Sequence, residues 1–496
     1  MFVGVDFGTS FSQAATIHNG HPLVLLPSDT YGIPSEFYYD SDSGVQVGQD
    51  ALDYGEGINA KYLISECKMK LREVPNAVTL DRRSFAYSDM VQNIYRYVLH
   101  VSQNVAQTKM INDSIEGLVL TMPVSFGLQE KTILREAAQS CMAGTPLPVM
   151  GILKEPVAAA IAYYKDSLDD GKTILVFDLG GGTCDVALVR SDKSADEMFT
   201  VIDSAMERIG GRDWDAELMK YISEEVEKKT GISIIDHDFY RKQLKTKAVE
   251  IKKKLSDGIS TSASARIAMQ NGRIISVPVT LNTFEEITYG LMMRALDCLK
   301  RVYSSNISQY NIEEIVCVGG SSNMRQVRYN IQREFPDMAV RLYEPEHAVV
   351  NGAAIYADLI RNVPPVPVIR DIASFSYGTD SNTHYGFPDN KKIVSNIIIK
   401  GSSLPITKSK GYCPTVANQK VVAFDIYESE YTEDEYDYMK PDKRFIGTVK
   451  LMLPPNSPKD LSLRCQLSLN TDGMLEVTAC EPSGKNVMAT FKLQAL

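Results

Sequence analysis

The sequence lacks the features that mark several common protein classes. No apolar run approaches the roughly 20 residues needed to span a bilayer. The eight cysteines are scattered without a CxxC pair and the six histidines do not cluster, so zinc ribbons, dithiol redox centres and histidine-based metal sites are not expected. The start, MFVGVDFG, has no basic stretch, so no signal peptide is expected. Unpaired cysteines fit a reducing compartment, and the predicted location is cytoplasmic.

Positive charge is in deficit, with 52 Lys and Arg against 62 Asp and Glu and a net charge of -10. Nucleic acids and anionic membranes select basic surfaces, so neither is expected as the main partner. Two common nucleotide motifs are also absent. Without GxxxxGK[ST] a P-loop is not expected, and without GxGxxG after a strand a Rossmann dinucleotide site is not expected.

The first three quarters of the 496-residue chain predict an α/β domain. Short apolar runs that end in glycine or proline alternate with longer helical patterns up to about residue 363, and such runs are typical of strands buried on both faces of a sheet. The predicted strands are MFVGVDFG, GLVLTMPV, TILVFDLGGG and EIVCVGGSS, and the predicted helices include residues 90–107 and 239–257.

The remaining sequence predicts a linker and an all-β domain. Residues 364–371 are rich in proline and predict a stiff linker. Residues 372–496 contain strictly alternating runs such as LSLRCQLSLN, which predict a sandwich-like β domain with no helical lid after it. Residues 427–444 are rich in acids and tyrosines, and we expect a solvated loop there. The alternative is an acidic, aromatic surface that meets a basic partner.

Two glycine-rich turns share one plan. VGVDFGTS at residues 3–10 and VFDLGGGTCDV at residues 176–186 each place an aspartate at the end of an apolar strand, followed by glycine and threonine. Backbone N–H groups of such turns bind phosphate oxygens, and aspartates at strand ends suit Mg²⁺ with several of its waters. A bulge or bend remains the alternative for GGG alone. The repeated plan favours a phosphate site between two similar halves.

Further motifs follow in order: KEPVAAAIAYY at 154–164, ERIGGRDWD at 207–215, VCVGGSSNM at 316–324 and EPEHAVVNGAA at 344–354. In this order they resemble the 70-kDa heat-shock protein chaperone family of the actin-like ATPase superfamily. The similarity continues through GSSLPITKSKGY, ANQKVV and LNTDGMLEVTA in the β domain. It implies an actin-like (ribonuclease H-like), two-lobed ATPase domain at 1–363 and a peptide-binding β sandwich at 372–496.

The resemblance also implies ATP or ADP and Mg²⁺ as cofactors and a role for individual residues. Asp6, Glu155 and Asp178 would surround the water shell of Mg²⁺. Catalytic roles are implied for Lys68, Glu155, Asp178, Thr183 and Asp185. Tyr412 and Val422 would line a peptide groove. The implied nucleotide-binding residues are Gly8, Thr9, Ser10, Phe11, Gly180, Gly181, Gly182, Gly210, Gly211, Lys252, Lys253, Ser256, Gly319, Gly320, Ser321 and Glu346.

Some of these assignments have alternatives. Lys70 replaces Lys68 if the register differs by two residues, and an amphipathic surface helix explains Lys252 and Lys253 equally well. Tyr412 and Val422 also fit an ordinary apolar core.

The sequence also departs from the family at several positions. Val249 stands at the place of a ribose-binding glutamate, and Lys253 and Asn323 stand at the places of arginines in the adenosine pocket. A lysine does not stack as a planar guanidinium does, so weaker nucleotide binding is expected. Gly151 replaces an arginine that engages J-domain partners, which argues against J-domain stimulation.

Three functions remain open from the sequence. The first is an ATP-hydrolysing, lidless chaperone that binds unfolded or extended peptides, with a J-domain protein and a nucleotide exchange factor as further implied partners. The second is a non-hydrolysing nucleotide-binding co-chaperone or adaptor, which the altered adenosine pocket would fit. The third is another actin-like ATPase such as a sugar kinase, against which the appended β domain argues.

Overall fold

The structure is a computed structural model. It describes residues 1–496 except 29, 56, 73–75, 143–145, 168–170, 192–197, 363–368, 384–385, 388, 471–473, 483–485 and 491–496. Contacts divide the chain into two compact units. The first comprises Met1–Val124, Arg135–Phe199 and Ser204–Pro367, and the second comprises Ser125–Leu134, Thr200–Asp203 and Val368–Leu496. Residues 364–368 of the predicted linker lie outside the described residues.

The strands before the linker are numbered in chain order. They are β1 Phe2–Phe7, β2 Phe11–His18, β3 His21–Val24, β4 Ile33–Pro34, β5 Phe37–Asp40, β6 Gly44–Val47, β7 Leu63–Ile64, β8 Ala77–Leu80, β9 Arg83–Ala86, β10 Gly117–Met122, β11 Val149–Lys154, β12 Thr173–Leu179, β13 Cys184–Ser191, β14 Phe199–Glu207, β15 Ser262–Ala268, β16 Ile274–Thr280, β17 Ile312–Val318 and β18 Ala339–Leu342. The helices are α1 Gln49–Tyr54, α2 Cys67–Lys70, α3 Tyr87–Thr108, α4 Leu128–Gln139, α5 Glu155–Ser167, α6 Gly211–Thr230, α7 Asp238–Ser256, α8 Leu281–Ile287, α9 Tyr289–Asn306, α10 Arg325–Glu334 and α11 Ala348–Asn362, with 3-10 helices at Gly57–Tyr62 and Gly320–Asn323.

Two sheets of the first unit arrange their strands in the same way around the strand that carries the aspartate. One runs β11-β10-β1-β2-β3 and the other includes β18-β17-β12-β13-β14. In each sheet the strand that carries the aspartate (β1 or β12) pairs in parallel with one neighbour and forms an antiparallel hairpin with the other. The repeated strand–Asp–Gly–Thr plan of the sequence therefore corresponds to a repeated sheet topology.

Burial explains why these strands read as continuous apolar runs. Every residue of β10 and β12 is buried, as expected for strands covered on both faces. The predicted strands correspond to β1, β10, β12 and β17, and the predicted helices to α3 and α7, with ends within four residues. No helix among the described residues is long and apolar enough to cross a membrane.

Helices α5 and α11 approach each other with almost no side chain between them. A Cβ added to Gly352 would lie 1.7 Å from the carbonyl oxygen of Ala158, and one added to Gly4 would lie 2.3 Å from the backbone nitrogen of Ala354. Glycine is therefore required at both positions. The contacts hold α11 against α5 and against β1, and α5 begins at Glu155, a predicted site residue.

The second unit consists mainly of two antiparallel sheets. Its strands are β19 Ile369–Arg370, β20 Ser376–Asn382, β21 Lys392–Ile398, β22 Ile406–Tyr412, β23 Val421–Ser429, β24 Glu435–Asp437, β25 Lys443–Met452, β26 Leu463–Leu469, β27 Leu475–Cys480 and β28 Asn486–Thr490. One sheet has the order β24-β21-β20-β23-β25 and the other β22-β26-β27-β28. Both contribute to one apolar core, which includes the alternating residues Leu463, Cys465, Leu467 and Leu469. The alternation predicted from LSLRCQLSLN is confirmed.

The expectation of a solvated loop at residues 427–444 holds for residues 430–434 and 438–442, which form turns and irregular structure, but is wrong for the rest of the segment. Strand β24 lies within this segment and pairs with β21. Tyr427 and Tyr436 are buried with Val394, and Tyr431 and Tyr438 pack against them. The acidic residues from Glu430 to Asp442 are exposed while the tyrosines bury apolar surface, and Glu428 is buried and accepts a hydrogen bond from the Tyr377 hydroxyl at 3.1 Å. The sequence pattern alone did not separate the exposed from the buried residues.

Candidate functional site

Three aspartates of the first unit lie where buried strands meet the glycine-rich turns. Asp6 is the next-to-last residue of β1, and Asp178 on β12 lies opposite Asp185 on β13. Asp178 is 5% exposed and Asp185 is 1% exposed. The hydroxyl of Thr121 donates to Asp6 Oδ1 at 2.7 Å, and the backbone N–H of Val124 donates to Asp185 Oδ1 at 3.0 Å. Strand ends therefore hold carboxylates at fixed positions.

Lys68 is the cation of this cluster. It lies on the short helix α2, is 2% exposed, and forms an ion pair with Glu155, the first residue of α5. Lys70 has a different environment, because its ammonium lies 5.9 Å from the ring centroid of Tyr87. The geometry therefore favours Lys68 over Lys70 as the lysine of the site.

The charges of the cluster act on one another. Burial raises the pKa of Glu155 to about 7, an effect that Lys68 opposes and Asp6 and Asp185 strengthen. Burial also raises the pKa of Asp185 to about 6, and burial with the charges of Glu155 and Asp185 holds the pKa of Asp178 well above its ordinary value. Burial alone would lower the pKa of Lys68, but the attraction of Glu155 and Asp6 outweighs it and raises that pKa.

These pKa shifts predict how stability depends on pH. Glu155 holds a proton up to about pH 7 in the folded chain but only up to about 4.5 when unfolded. The folded state therefore binds more protons in this window, so the free energy of unfolding should fall as pH rises from about 4.5 to 7, by on the order of 3 kcal/mol from this group. Urea unfolding at both pH values measures it. Glu155→Gln should show a smaller fall than wild type, and an equal fall in both would contradict the assignment.

The two glycine-rich turns face each other. A Cβ added to Gly181 would lie 2.7 Å from Ser10 Oγ, and one added to Gly182 would lie 3.1 Å from Thr9 Oγ1. Gly210 closes the same region, because its Cβ would lie 2.4 Å from the backbone nitrogen of Gly182. Glycine at these positions lets the backbones of the turns approach closely, and backbone N–H groups that no side chain covers suit phosphate binding.

The predicted adenosine segments meet the second turn. The backbone N–H of Gly211 and the hydroxyl of Ser321 both donate to the carbonyl oxygen of Gly180, each at 2.9 Å. Gly319 has a φ of +79°, and its Cβ would lie 2.4 Å from Asp178 Oδ1, so both backbone conformation and space require glycine. The structure thus brings residues from three distant parts of the sequence to one turn.

The other predicted residues differ in how directly they reach this turn. Lys252 Nζ donates to Gly211 O at 2.8 Å and pairs with Asp215 at 2.7 Å. Ser256 donates instead to Lys252 O, within α7. Gly8 and Thr183 lie in the two turns, Gly320 opens a 3-10 helix, and Glu346 lies in the turn before α11.

Two site residues were missed by the sequence analysis. Glu66, with φ +62°, precedes α2 and pairs with Arg212 at 2.6 Å, while the backbone N–H of Arg212 donates to Gly181 O at 3.0 Å. This pair ties the helix that carries Lys68 to the glycine-rich turn. The two residues are 146 positions apart, so no local pattern links them.

Comparison with known protein families agrees with this geometry. The family model described as Hsp70 protein matches residues 2–494. The chain belongs to the Hsp70 family. Members of this family bind ATP and ADP with Mg²⁺, act as ATP-dependent chaperones, and bind unfolded peptides, J-domain proteins and exchange factors. The family resemblance predicted from the motifs is therefore confirmed.

The residues of this Hsp70-family site fit a hydrated Mg²⁺. The donor set is carboxylate oxygen, which Mg²⁺ prefers, and Asp185 Oδ2 is buried without a hydrogen-bond partner. Within the described ranges, no group of three or more His, Cys, Asp or Glu side chains is arranged to hold a metal. Contact through water, as predicted for Asp6, Glu155 and Asp178, remains a prediction.

In the β domain of this Hsp70-family chain, Tyr412 and Val422 both pack against the apolar core. The ring of Tyr412 lies 5.6 Å from that of Phe424 in a T-shaped contact, and its hydroxyl is buried without a partner. Core packing accounts for the apolar contacts of both residues. A role in peptide binding stays a prediction.

Proposed function

We propose that this chain binds Mg-ATP between its two glycine-rich turns and hydrolyses it slowly, as a chaperone-type ATPase whose β domain binds extended peptides. The observation that carries the proposal is the buried, mutually interacting set of Lys68, Glu155, Asp178 and Asp185 beside those turns. Phosphoryl transfer depends mainly on positioning and charge neutralisation, and this set supplies both.

Each residue has a role in this scheme. Backbone N–H groups of the turns and the hydroxyls of Thr9, Ser10 and Thr183 would bind phosphate oxygens. The Lys68 ammonium would neutralise charge that develops on the transferred group, and its pair with Glu155 keeps it in place. Asp178 and Asp185 would orient the attacking water and accept its proton. Mg²⁺, held through water by Asp6, Glu155 and Asp178, would neutralise phosphate charge.

The adenosine side of the site supports a second candidate, a nucleotide-binding adaptor without turnover. The side chain of Asn323, where the family has an arginine, donates to Gly320 O at 3.1 Å. A Cβ at Gly151 would lie 3.2 Å from the ring of Tyr356, which leaves little room for the family's arginine. The contact of Asn323 favours weaker nucleotide binding, and the lack of room at Gly151 favours weak J-domain stimulation.

We also propose a cytoplasmic location, which the eight free cysteines support.

Turnover measurements separate the two candidates. Wild-type protein with Mg-ATP should release phosphate slowly, should stop when EDTA is added, and should speed up severalfold with an unfolded peptide such as reduced carboxymethylated lactalbumin. An Asp185→Asn variant purified in parallel measures contaminating ATPase. Tight ATP binding with turnover equal to that variant would favour the adaptor.

A further inference from the structure

Two aromatic rings of the first unit turn their faces toward one lysine. Phe11, the first residue of β2, is 42% exposed, and Tyr31 is 64% exposed. Lys253 on α7 places its ammonium over both rings, 5.9 Å from the Phe11 centroid and 5.1 Å from the Tyr31 centroid. Both rings remain open to solvent on a surface that faces a cation, and Tyr31 has no predicted role.

Their backbone positions hold these rings in place. Gln13 donates its side-chain amide to the carbonyl oxygen of Tyr31 at 2.8 Å. A Cβ on Gly32 would lie 2.8 Å from Phe11 Cβ, so the segment that follows Tyr31 lies directly against β2. The backbone segments that carry the two rings are therefore held close to each other.

The three residues border the proposed nucleotide site. Phe11 follows Ser10, which faces Gly181, and Lys253 follows Lys252, which binds the backbone of Gly211. The two rings and the ammonium of Lys253 on α7 therefore lie together beside the glycine-rich turns. A nucleotide with its phosphates at the turns would extend its base past these side chains.

We propose that Tyr31, with Phe11, forms the stacking surface for the base of the bound nucleotide. The inference rests on the proposed nucleotide site and adds to it a residue that no motif identified. A lysine ammonium is a point charge and offers no planar surface, so the stacking partner must come from the aromatic rings. Lys253 adds a cation over the same π-faces, and its flexible stem allows it to withdraw when a base enters.

Stacking of this kind has a specific consequence for base selectivity. Every base has a π-face, and stacking on an aromatic side chain contributes enough that its removal weakens binding about tenfold or more, with little preference among bases. Loss of the Tyr31 ring should therefore weaken ATP and GTP by a similar factor. Ligands that have phosphates but no base should bind as before.

Calorimetric titration with Mg-ATP, Mg-GTP and Mg-tripolyphosphate tests the inference. Tyr31→Ala should weaken ATP and GTP about tenfold or more and leave tripolyphosphate within about twofold, whereas Tyr31→Phe should bind all three like wild type. The matched control is Tyr329→Ala, because Tyr329 is 66% exposed and also has a cation over its ring, Arg333 at 5.9 Å. This control should bind all three ligands like wild type.

The outcomes distinguish this inference from the proposed function. Unchanged ATP binding by Tyr31→Ala overturns the stacking role and leaves the phosphate site intact. An equal loss of ATP and tripolyphosphate binding also overturns it, because the ring would then support the fold of the turns. If wild type binds neither ATP nor tripolyphosphate, the proposed nucleotide site is wrong and the stacking role falls with it.

Discussion

Replacing Lys68 by methionine should lower Mg-ATP turnover by at least about a hundredfold, as does removal of one preorganised group that stabilises transition-state charge. Lys68 is buried and paired with Glu155, so its ammonium is fixed before the phosphate arrives. Lys70→Met is the matched control, because Lys70 is two residues away on the same short helix and lies beside Tyr87. Single-turnover phosphate release measures both variants, and we expect Lys70→Met to remain within about twofold of wild type.

The same change should also lower stability. Above pH 7, where the Glu155 carboxyl is charged, methionine leaves this charge buried without its partner, and breaking one half of a buried ion pair costs roughly 3–5 kcal/mol. The double variant Lys68→Met with Glu155→Gln removes both charges and should recover part of this loss in urea unfolding. Lys68→Met with full turnover, or Lys70→Met with the larger loss, would show that the lysine was assigned in the wrong register.

Asp178→Asn should also abolish turnover, again by about a hundredfold or more. The amide has the shape of the carboxyl but cannot take up a proton from the attacking water or attract hydrated Mg²⁺. Burial and the charges of Glu155 and Asp185 raise the pKa of Asp178 well above its ordinary value, so the charged form of this carboxyl is costly in the ligand-free chain. The amide carries no charge to bury, so the substitution should lower ligand-free stability by no more than about 1 kcal/mol.

Asp337→Asn is the control for this variant, because Asp337 is exposed at the end of the segment after α10. It should retain wild-type turnover and stability. If Asp178→Asn lost stability as strongly as turnover, the lost activity would reflect unfolding. If it retained turnover, Asp178 would have no part in the chemistry.

Much of the fold could be predicted because the decisive signals are local. An apolar run that ends in aspartate and glycine marks a buried strand and its turn, and α3 and α7 follow from apolar residues at helical spacing. Only the parts of the site that have a local sequence motif could be predicted. The turns at Asp6 and Asp178 have such a motif, whereas Glu66 and Arg212 are far apart in the sequence and pair only in the folded chain.

The tyrosine-rich segment shows a second limit of sequence interpretation. Its acidic residues dominate the composition of residues 427–444 and favour a loop. Burial of Tyr427 and Tyr436 depends on β21, which lies more than 28 residues earlier, and on pairing that no local periodicity predicts. Tertiary contacts therefore decided this element against its composition.

The contact between α5 and α11 lies close to the ion pair of Lys68 and Glu155. Where the two helices touch at Gly352 and Ala158, main-chain atoms meet without a side chain between them, and small sliding is the movement that such packed helices allow. Glu155 lies three residues before Ala158, which is about 4.5 Å along the helix axis. If α5 slides along its axis, Glu155 moves by the same distance, and the separation between its carboxylate and the Lys68 ammonium changes.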